Sequence, residues 1–377
     1  MTQGVRSDPR VDATAVSVVI PAHRADEGLR ACLASVFACR PGPGEVLVVV
    51  DGDAPGCTTL ASGAGARVFA TAGGEGPAIA RNRGAREAAG VVVLFLDADV
   101  VVPADLVDRV ARAFDEDARL DGVFGSYDDA PAGPGVVSVF RNLLHHHVHQ
   151  TSRPEASSFW SGCGAVRSSV FRESGGFDER YRRPSVEDIE LGSRLVRSGR
   201  RIRLDRSLQV KHLKRWSLAG MAVTDVRDRA LPWTELILRE RRLPRDLNLR
   251  PGHRLSTVAA LALVAGLAVL PVSPYPGLLI AAGSLLALLA ANLPFYRRLV
   301  RLRGPAFLVA AIPLHWLHYL CGALGFGAGL VRYALAGGRP SSSRRVHGIA
   351  AGAGSTPVPD GRAESPELAP ARLVGEP

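Results

Sequence analysis

The chain has 377 residues, with 46 Lys+Arg against 36 Asp+Glu and a formal charge of +10. That length allows one large domain with an appendage, and the basic balance points to nucleic acid or to an anionic membrane surface. Aromatic residues make up only 6% and no nucleic-acid motif is present, which sets nucleic acid aside in favour of the membrane. Cys32, Cys39, Cys57, Cys163 and Cys321 are odd in number and lack paired metal spacing, as expected for reduced thiols in a cytosolic enzyme.

Residues 1–13 are polar and include Pro9. They are expected to be disordered and are not a signal peptide, so the following domain is expected on the cytoplasmic side. Residues 16–21, Val-Ser-Val-Val-Ile-Pro, predict a first strand ended by proline. Residues 25–38 predict a helix, with Leu29, Cys32, Leu33 and Val36 at helical spacing. Residues 45–50 predict a second buried strand running into Asp51-Gly52-Asp53, and residues 78–89 a second helix. The loop Gly73-Gly74-Glu75-Gly76-Pro77 precedes Arg81 and Asn82, a natural place for a phosphate.

The run Val91-Val92-Val93-Leu94-Phe95-Leu96 predicts a third buried strand that emerges at Asp97-Ala98-Asp99. Strand, helix, strand, helix, strand predicts a parallel doubly wound α/β sheet, whose ligands bind beyond the carboxyl ends of its strands. His23 and Arg24, Asp51 and Asp53, and Asp97 and Asp99 then converge on one sheet edge. Two hard carboxylates two residues apart suit a Mg²⁺ or Mn²⁺ that also holds a diphosphate.

Further along, His145 to His149 carry four histidines, two of them spaced for one helix face. No acid or cysteine accompanies them at metal spacing, so an acceptor-cleft or surface helix is expected there rather than a metal site. Phe159 and Trp160 are read either as a wall for a sugar or lipid group or as a core aromatic pair. Between residues 217 and 254, Trp233, Leu236, Leu238 and Leu243 interleave with arginines, which predicts a basic segment lying on the inner leaflet.

Three apolar stretches follow, at 256–272, 277–295 and 307–335. Each is near the ~20 residues that cross a bilayer. The link Ser273-Pro274-Tyr275-Pro276 makes the first two a tight hairpin, and the basic residues 296–303 are expected as a cytoplasmic loop. The third stretch either spans or re-enters. Residues 337–377 are rich in Gly, Pro, Ser and Ala and are expected to be disordered.

From Val16 to about Trp216 the chain resembles the family 2 glycosyltransferases, the inverting class with the GT-A fold. The motifs that carry the resemblance are Ser17 to Arg24, Val49-Val50-Asp51-Gly52-Asp53, Ala80-Arg81-Asn82-Arg83-Gly84, Leu94 to Asp99, Ser161-Gly162-Cys163-Gly164, Gly175 to Glu179, Val186 to Gly192 and Val210-Lys211-His212. Val50 replaces the family's first acid in its Asp-Asp-Gly segment, and Asp53 replaces a serine. The resemblance implies a GT-A doubly wound mixed sheet followed by an α-helical transmembrane region, over residues 14–216 and 255–336. It implies donor contacts at Pro21, His23, Asp51, Arg81 and Asp97. Asp99, with Asp97 and His212, would hold Mn²⁺ or Mg²⁺. Asp188 would be the general base, with Glu187 raising the pKa of the pair. Trp160, Gly162 and Trp216 would face the acceptor. The resemblance implies a nucleotide-diphosphate sugar as partner; the apolar stretches place the chain at the plasma (inner) membrane, and that location alone points to a lipid or lipid-linked glycan acceptor, with no nucleic acid.

A processive polysaccharide synthase is the first rival. It would carry Gln-x-x-Arg-Trp, and His212 stands in the Gln position before Arg215-Trp216. A catalytically inactive membrane-tied binding module is the second, and the intact Asp97, Asp99 and Asp188 argue against it. A nucleotidyltransferase would need a Gly-rich basic loop after the first strand, where Pro21-Ala22-His23-Arg24 stands.

Overall fold

The computed structural model describes residues 10–243 and 247–337. Most of the terminal segments expected to be disordered lie outside these residues. Residues 10–13, however, are packed: the Val11 amide donates to Asp115 at 3.1 Å and the Val11 side chain is buried. Packed residues thus extend a few positions ahead of the domain start read from sequence.

The apolar runs form strands because β-branched side chains fit a pleated, two-sided buried surface. β1 (Val16–Ala22), β2 (Glu45–Val50), β3 (Arg67–Ala70) and β4 (Val92–Leu96) pair in parallel, in the order β3-β2-β1-β4. The helices α1 (Glu27–Phe37), α2 (Pro55–Gly63) and α3 (Pro77–Glu87) connect them. α2 and β3 were not read from sequence. The short β5 (Val100–Val101), the amphipathic α4 (Leu106–Glu116) and β6 (Gly122–Tyr127) come next. α5 (Val136–Thr151), β7 (Cys163–Arg167), α6 (Ser168–Glu173), α7 (Glu187–Arg197) and β8 (Ile202–His212) complete the domain.

β7 runs antiparallel to β4 and to β6, and β8 pairs in parallel with β6, so the sheet is mixed in the order β3-β2-β1-β4-β7-β6-β8-β5. Two apolar clusters cover its faces, one built on α1 and α4 and the other on α3, α5, α6 and α7. At about 1.5–3 kcal/mol per fully buried large apolar side chain, these layers dominate the favourable side of folding.

α8 (Leu218–Val223), a π-helical stretch (Thr224–Ala230) and α9 (Leu231–Glu240) follow without a break. The sequence placed this segment on a lipid leaflet. In the structure Trp233 and Leu236 are buried against Val186, and Glu240 accepts from Ser193 at 2.6 Å and pairs with Arg197 at 3.2 Å. Protein, rather than lipid, buries these apolar side chains.

α10 (Pro251–Val269) and α11 (Pro274–Ala291) form the expected hairpin. The basic residues expected as a loop are instead a helix, α12 (Leu293–Arg303), because Phe295, Tyr296 and Leu299 are spaced to dock on the core while Arg297, Arg301 and Arg303 face outward. α13 (Phe307–Leu335) is one continuous helix of 29 residues. α10, α11 and α13 are each long and apolar enough to cross a membrane. Their large side chains stay outward, with Val258, Leu278, Leu279, Leu286, Val309 and Leu335 exposed, a display that water would penalise.

α13 also runs along the globular domain. Ala311 and Leu314 join the core beside α5. A Cβ on Gly329 would stand 2.7 Å from the Cβ of Thr234, so helix backbones approach closely there. Arg332 then pairs with Glu235 at 3.0 Å.

Candidate active site

A cavity of about 750 Å³ opens at the carboxyl ends of the parallel strands. Most residues nominated from sequence line it: Pro21, His23, Asp51, Arg81, Asp97, Asp99, Trp160, Gly162, Glu187, Asp188, His212 and Trp216; Asp53 is not among the lining residues, and Asn82 instead donates to the Phe177 carbonyl at 2.9 Å.

At one end, β2 delivers Asp51. Its Oδ1 accepts from Thr71 Oγ1 at 2.6 Å and from the Glu75 amide at 3.1 Å, and its Oδ2 accepts from the Gly76 amide at 3.0 Å. Burial works against this carboxylate, but these hydrogen bonds outweigh it and hold Asp51 below the usual carboxylate range. Asp51 therefore pins the glycine loop that frames this end. Pro21 and the exposed His23 stand beside it at the end of β1.

Arg81 occupies the centre. Gly84, one turn further along α3, lets the helix press on β1 and β2: a Cβ there would lie 3.1 Å from Val49 Cγ2. Arg81 Nη2 donates to Asp97 Oδ1 at 2.7 Å and Nη1 donates to Glu187 Oε1 at 3.0 Å. The Arg81 and Glu187 side chains are almost fully buried. The sequence offered this guanidinium to a phosphate; the structure commits both terminal nitrogens to carboxylates. Its work here is to fix the two acidic segments, 90 residues of chain apart, in one frame.

Asp99 lies across from Arg81. Its Oδ2 is 3.5 Å from His212 Nε2, and the His212 ring stacks on Tyr127 at 4.1 Å with planes 8° apart. Burial raises the Asp99 pKa, but the His212 hydrogen bond, the His212 charge and Lys214 together hold it below the usual carboxylate range. Among the described residues no group of three or more His, Cys, Asp or Glu is placed to hold a metal. One carboxylate and one imidazole do face each other, however. That pair fits a divalent ion that completes its shell with diphosphate oxygens, the usual manner of Mg²⁺ and Mn²⁺.

Asp188 stands at the first turn of α7. Gly192 allows that helix to touch the backbone of Ser158 and Phe159, which brings Asp188 Oδ2 to the Ser161 amide at 3.1 Å and to Ser161 Oγ at 3.4 Å. Burial first, and then the neighbouring Glu187 carboxylate, push Asp188 up to about 7, against the Ser161 amide and Arg81. A carboxylate so poised lies near the optimum for moving a proton at neutral pH.

The aromatic pair read from sequence divides. Phe159 is core, edge-on to Phe124 at 6.0 Å. Trp160 turns into the cavity, edge-on to Tyr127 at 4.9 Å and 4.7 Å from the His145 ring. Trp216 stands at the far end under Lys214 and Arg141. The histidine helix forms part of the cavity wall through His145 and His149; the rings of His146 and His149 bond the Tyr127 and Gly125 carbonyls at 2.7 and 2.9 Å, and Arg298 of α12 reaches His146 at 2.6 Å. Tyr127, Ser161, Lys214 and Arg229 line the cavity as well; Ser161 opens one of the motifs that carry the resemblance, whereas no site role was read for Tyr127, Lys214 or Arg229 from sequence.

Residues 17–175 match the model of the family Glycosyl transferase family 2. No curated protein sequence matches the chain significantly. Among solved structures, the chain is similar to mannosyltransferase PcManGT from Pyrobaculum calidifontis in complex with GDP-Man and Mn²⁺, at 18% identity and a TM-score of 0.55, over 82% of this chain and 90% of that one. S. aureus TarS 1–349 aligns over 85% of this chain and 91% of its own, at 15% identity and a TM-score of 0.45.

Proposed function

We propose that this chain, a glycosyltransferase by the family 2 domain of residues 17–175, is a membrane-tied inverting enzyme that moves a sugar from a nucleoside-diphosphate sugar to a hydroxyl of a lipid or lipid-linked glycan. The observation that carries this reading is one cavity holding two acidic centres: the Asp99–His212 pair and Asp188, with Arg81 bracing the acids between them.

The donor lies with its nucleoside against Pro21, His23 and Asp51 and its diphosphate toward Asp99. Asp99 and His212, with Asp97 beside them, would hold a Mn²⁺ or Mg²⁺, which supplies charge neutralisation for the leaving diphosphate. Asp188, ionised, takes the acceptor hydroxyl proton as the oxygen attacks C1. The new C1–O bond forms as the bond from C1 to the diphosphate breaks, on opposite faces of the sugar, so the anomeric configuration inverts. The Ser161 amide keeps the Asp188 carboxylate aimed and partly ionised. Trp160 gives the acceptor sugar or headgroup an apolar face to rest on.

The apolar hairpin supports a membrane location, and the exposed Arg297, Arg301 and Arg303 of α12 support a cytoplasmic transferase domain by the positive-inside rule. The acceptor class follows from that location. For α13, the contacts at both ends with the transferase domain and α9 support re-entry rather than a crossing.

The test is a panel of nucleotide sugars with Mn²⁺ on the full chain in detergent, scored by thermal shift and by release of nucleoside diphosphate. A single nucleotide-sugar class should stabilise the protein only with metal present and be hydrolysed slowly. Stabilisation by none of them would sink the reading.

A further inference from the structure

The cavity has a third region, beside His212 and within electrostatic reach of Asp188, whose cations the reaction above leaves without a task. It is closed by the π-helical stretch Thr224–Ala230 and extends under α13, where Arg141, Trp216, Arg229 and His318 share a smaller chamber. Single π turns are rare and often mark functional positions. Here the wider turn sits between the cavity and α13, and a Cβ on Gly325 of α13 would lie 2.9 Å from the Val226 carbonyl.

Two carboxylates among the described residues act on this end, the buried Asp225 and, from the neighbouring acidic centre, Asp188. Arg141 pairs with it at 2.5 Å and His318 Nδ1 lies 2.7 Å from it. Arg229 is half-buried, lines both chambers, and forms no hydrogen bond or ion pair with any described residue. Asp225 is thus bonded directly to Arg141 and His318, and Arg229 is left with only the longer-range charges of Asp225 and Asp188. A sequestered guanidinium without a direct counter-ion is costly to fold. It becomes favourable when an anion arrives, because Arg binds phosphate through charge-assisted, often bidentate hydrogen bonds.

Building on the glycosyltransferase reading, we infer that Arg229 is an acceptor-side phosphate site: the acceptor is a hydroxyl-bearing lipid whose headgroup carries a phosphate, seated on Arg229 beneath α13. The donor's diphosphate is placed elsewhere, at Asp99. The two anionic groups then enter from opposite ends of one cavity and meet near Asp188. The phosphate takes no part in bond making. It orients the headgroup so that a hydroxyl reaches C1 of the donor, and the proton passes to Asp188 as before. The exposed apolar side of α13, with Leu324, Phe326 and Val331, gives the acyl or isoprenoid chains a path from the bilayer to this chamber.

The experiment uses the full chain in a neutral detergent and intrinsic tryptophan fluorescence, since Trp160 and Trp216 line the cavity. The probes are dihexanoyl phosphatidylglycerol, its phosphate-free counterpart dihexanoylglycerol, inorganic phosphate, and a nucleoside diphosphate with Mn²⁺. Wild type should bind the phospholipid at least about 10-fold more tightly than the neutral lipid. Arg229→Gln should abolish that preference, Arg229→Lys should keep part of it, and both should bind the nucleoside diphosphate as wild type does, which also shows that they are folded. Inorganic phosphate should compete with the phospholipid only in proteins that keep the cation. Equal binding of the two lipids by wild type overturns the inference, and so does loss of nucleoside-diphosphate binding in Arg229→Gln, which would assign Arg229 to the donor. Failure of the glycosyltransferase reading itself looks different: no nucleoside diphosphate binds even to wild type.

Discussion

His212 Nε2 lies 3.5 Å from the Oδ2 of Asp99, with the imidazole held flat on Tyr127. Asp99 directly precedes β5 and His212 ends β8, and the antiparallel β5–β8 pair, with Val100 opposite His212 and the Leu213 amide donating to the Asp99 carbonyl at 2.9 Å, sets their approach. The pair is arranged for a cation: a carboxylate oxygen and an imidazole nitrogen can share one ion, and stacking on Tyr127 holds the ring in place.

Asp99→Ala should therefore abolish metal-dependent nucleotide binding while the fold stays intact. His212→Ala should weaken metal affinity by about 10–100-fold, the range seen when an ordering partner of a metal site is lost. Titration of Mn²⁺ against nucleotide-induced thermal shift measures both. Wild-type nucleotide binding in EDTA would refute the assignment.

Arg81 makes a different prediction, about stability. Its removal leaves Glu187 buried and uncompensated and frees Asp97. Breaking a buried pair from one side costs about 3–5 kcal/mol. Arg81→Met should therefore lower the thermal midpoint of the full chain by many degrees. Arg81→Lys should recover only part, because one ammonium cannot span both acids as a guanidinium does. An unchanged midpoint in Arg81→Met would show that the brace is energetically idle.

How much of this was legible beforehand depended on the range of the interaction. β1, β2 and β4 are continuous β-branched runs that end in polar groups, so their strand character and the edge that carries Asp51, Asp97 and Asp99 could be read locally. β3 could not: Arg67 to Ala70 is half exposed and short, and only pairing with β2 makes it a strand. The Arg81–Glu187 bond joins residues 106 apart, and no local pattern announces it. The segment holding Arg229 misled because basic and apolar residues interleave there as they do on a lipid surface. The same composition also suits a helix clamped between a transferase domain and α13, and the tertiary contacts of Trp233 and Glu240 decide between the two.

Topology is tested by single cysteines, against a low background because all five native cysteines are buried. Ser273→Cys, in the hairpin link, should react with an impermeant maleimide from outside. Arg301→Cys and Leu335→Cys should both be protected until the membrane is opened. The last of these is the sharper test. A third complete crossing would place residue 335 outside, whereas the Arg332–Glu235 pair ties it to α9 and, through Glu240 and Arg197, to the transferase domain.

The final prediction concerns Asp188, where stability and turnover should move in opposite directions. Its carboxyl is held up at about 7, from an ordinary value of 3.8, by burial and then by Glu187. Below pH 3.8 it is protonated in both folded and unfolded chains and costs nothing. Between 3.8 and about 7 the unfolded chain releases a proton that the folded chain retains, so stability falls as pH rises through that window and is level above it. Asp188→Asn removes this contribution. The variant should thus gain thermal stability over wild type progressively from pH 4 to pH 8. Transfer should respond the other way. The base must be ionised, so wild-type single-turnover transfer should decline with unit slope below about pH 7. Asp188→Asn should lose about 10²–10⁴-fold in turnover while donor affinity, set at Asp51 and Asp99, is kept. Glu187→Gln removes the negative neighbour and should shift the acid limb of the profile to lower pH, with a smaller loss of rate. Wild-type turnover in Asp188→Asn, or a stability difference that does not grow with pH, would show that Asp188 is neither the base nor a strained carboxylate.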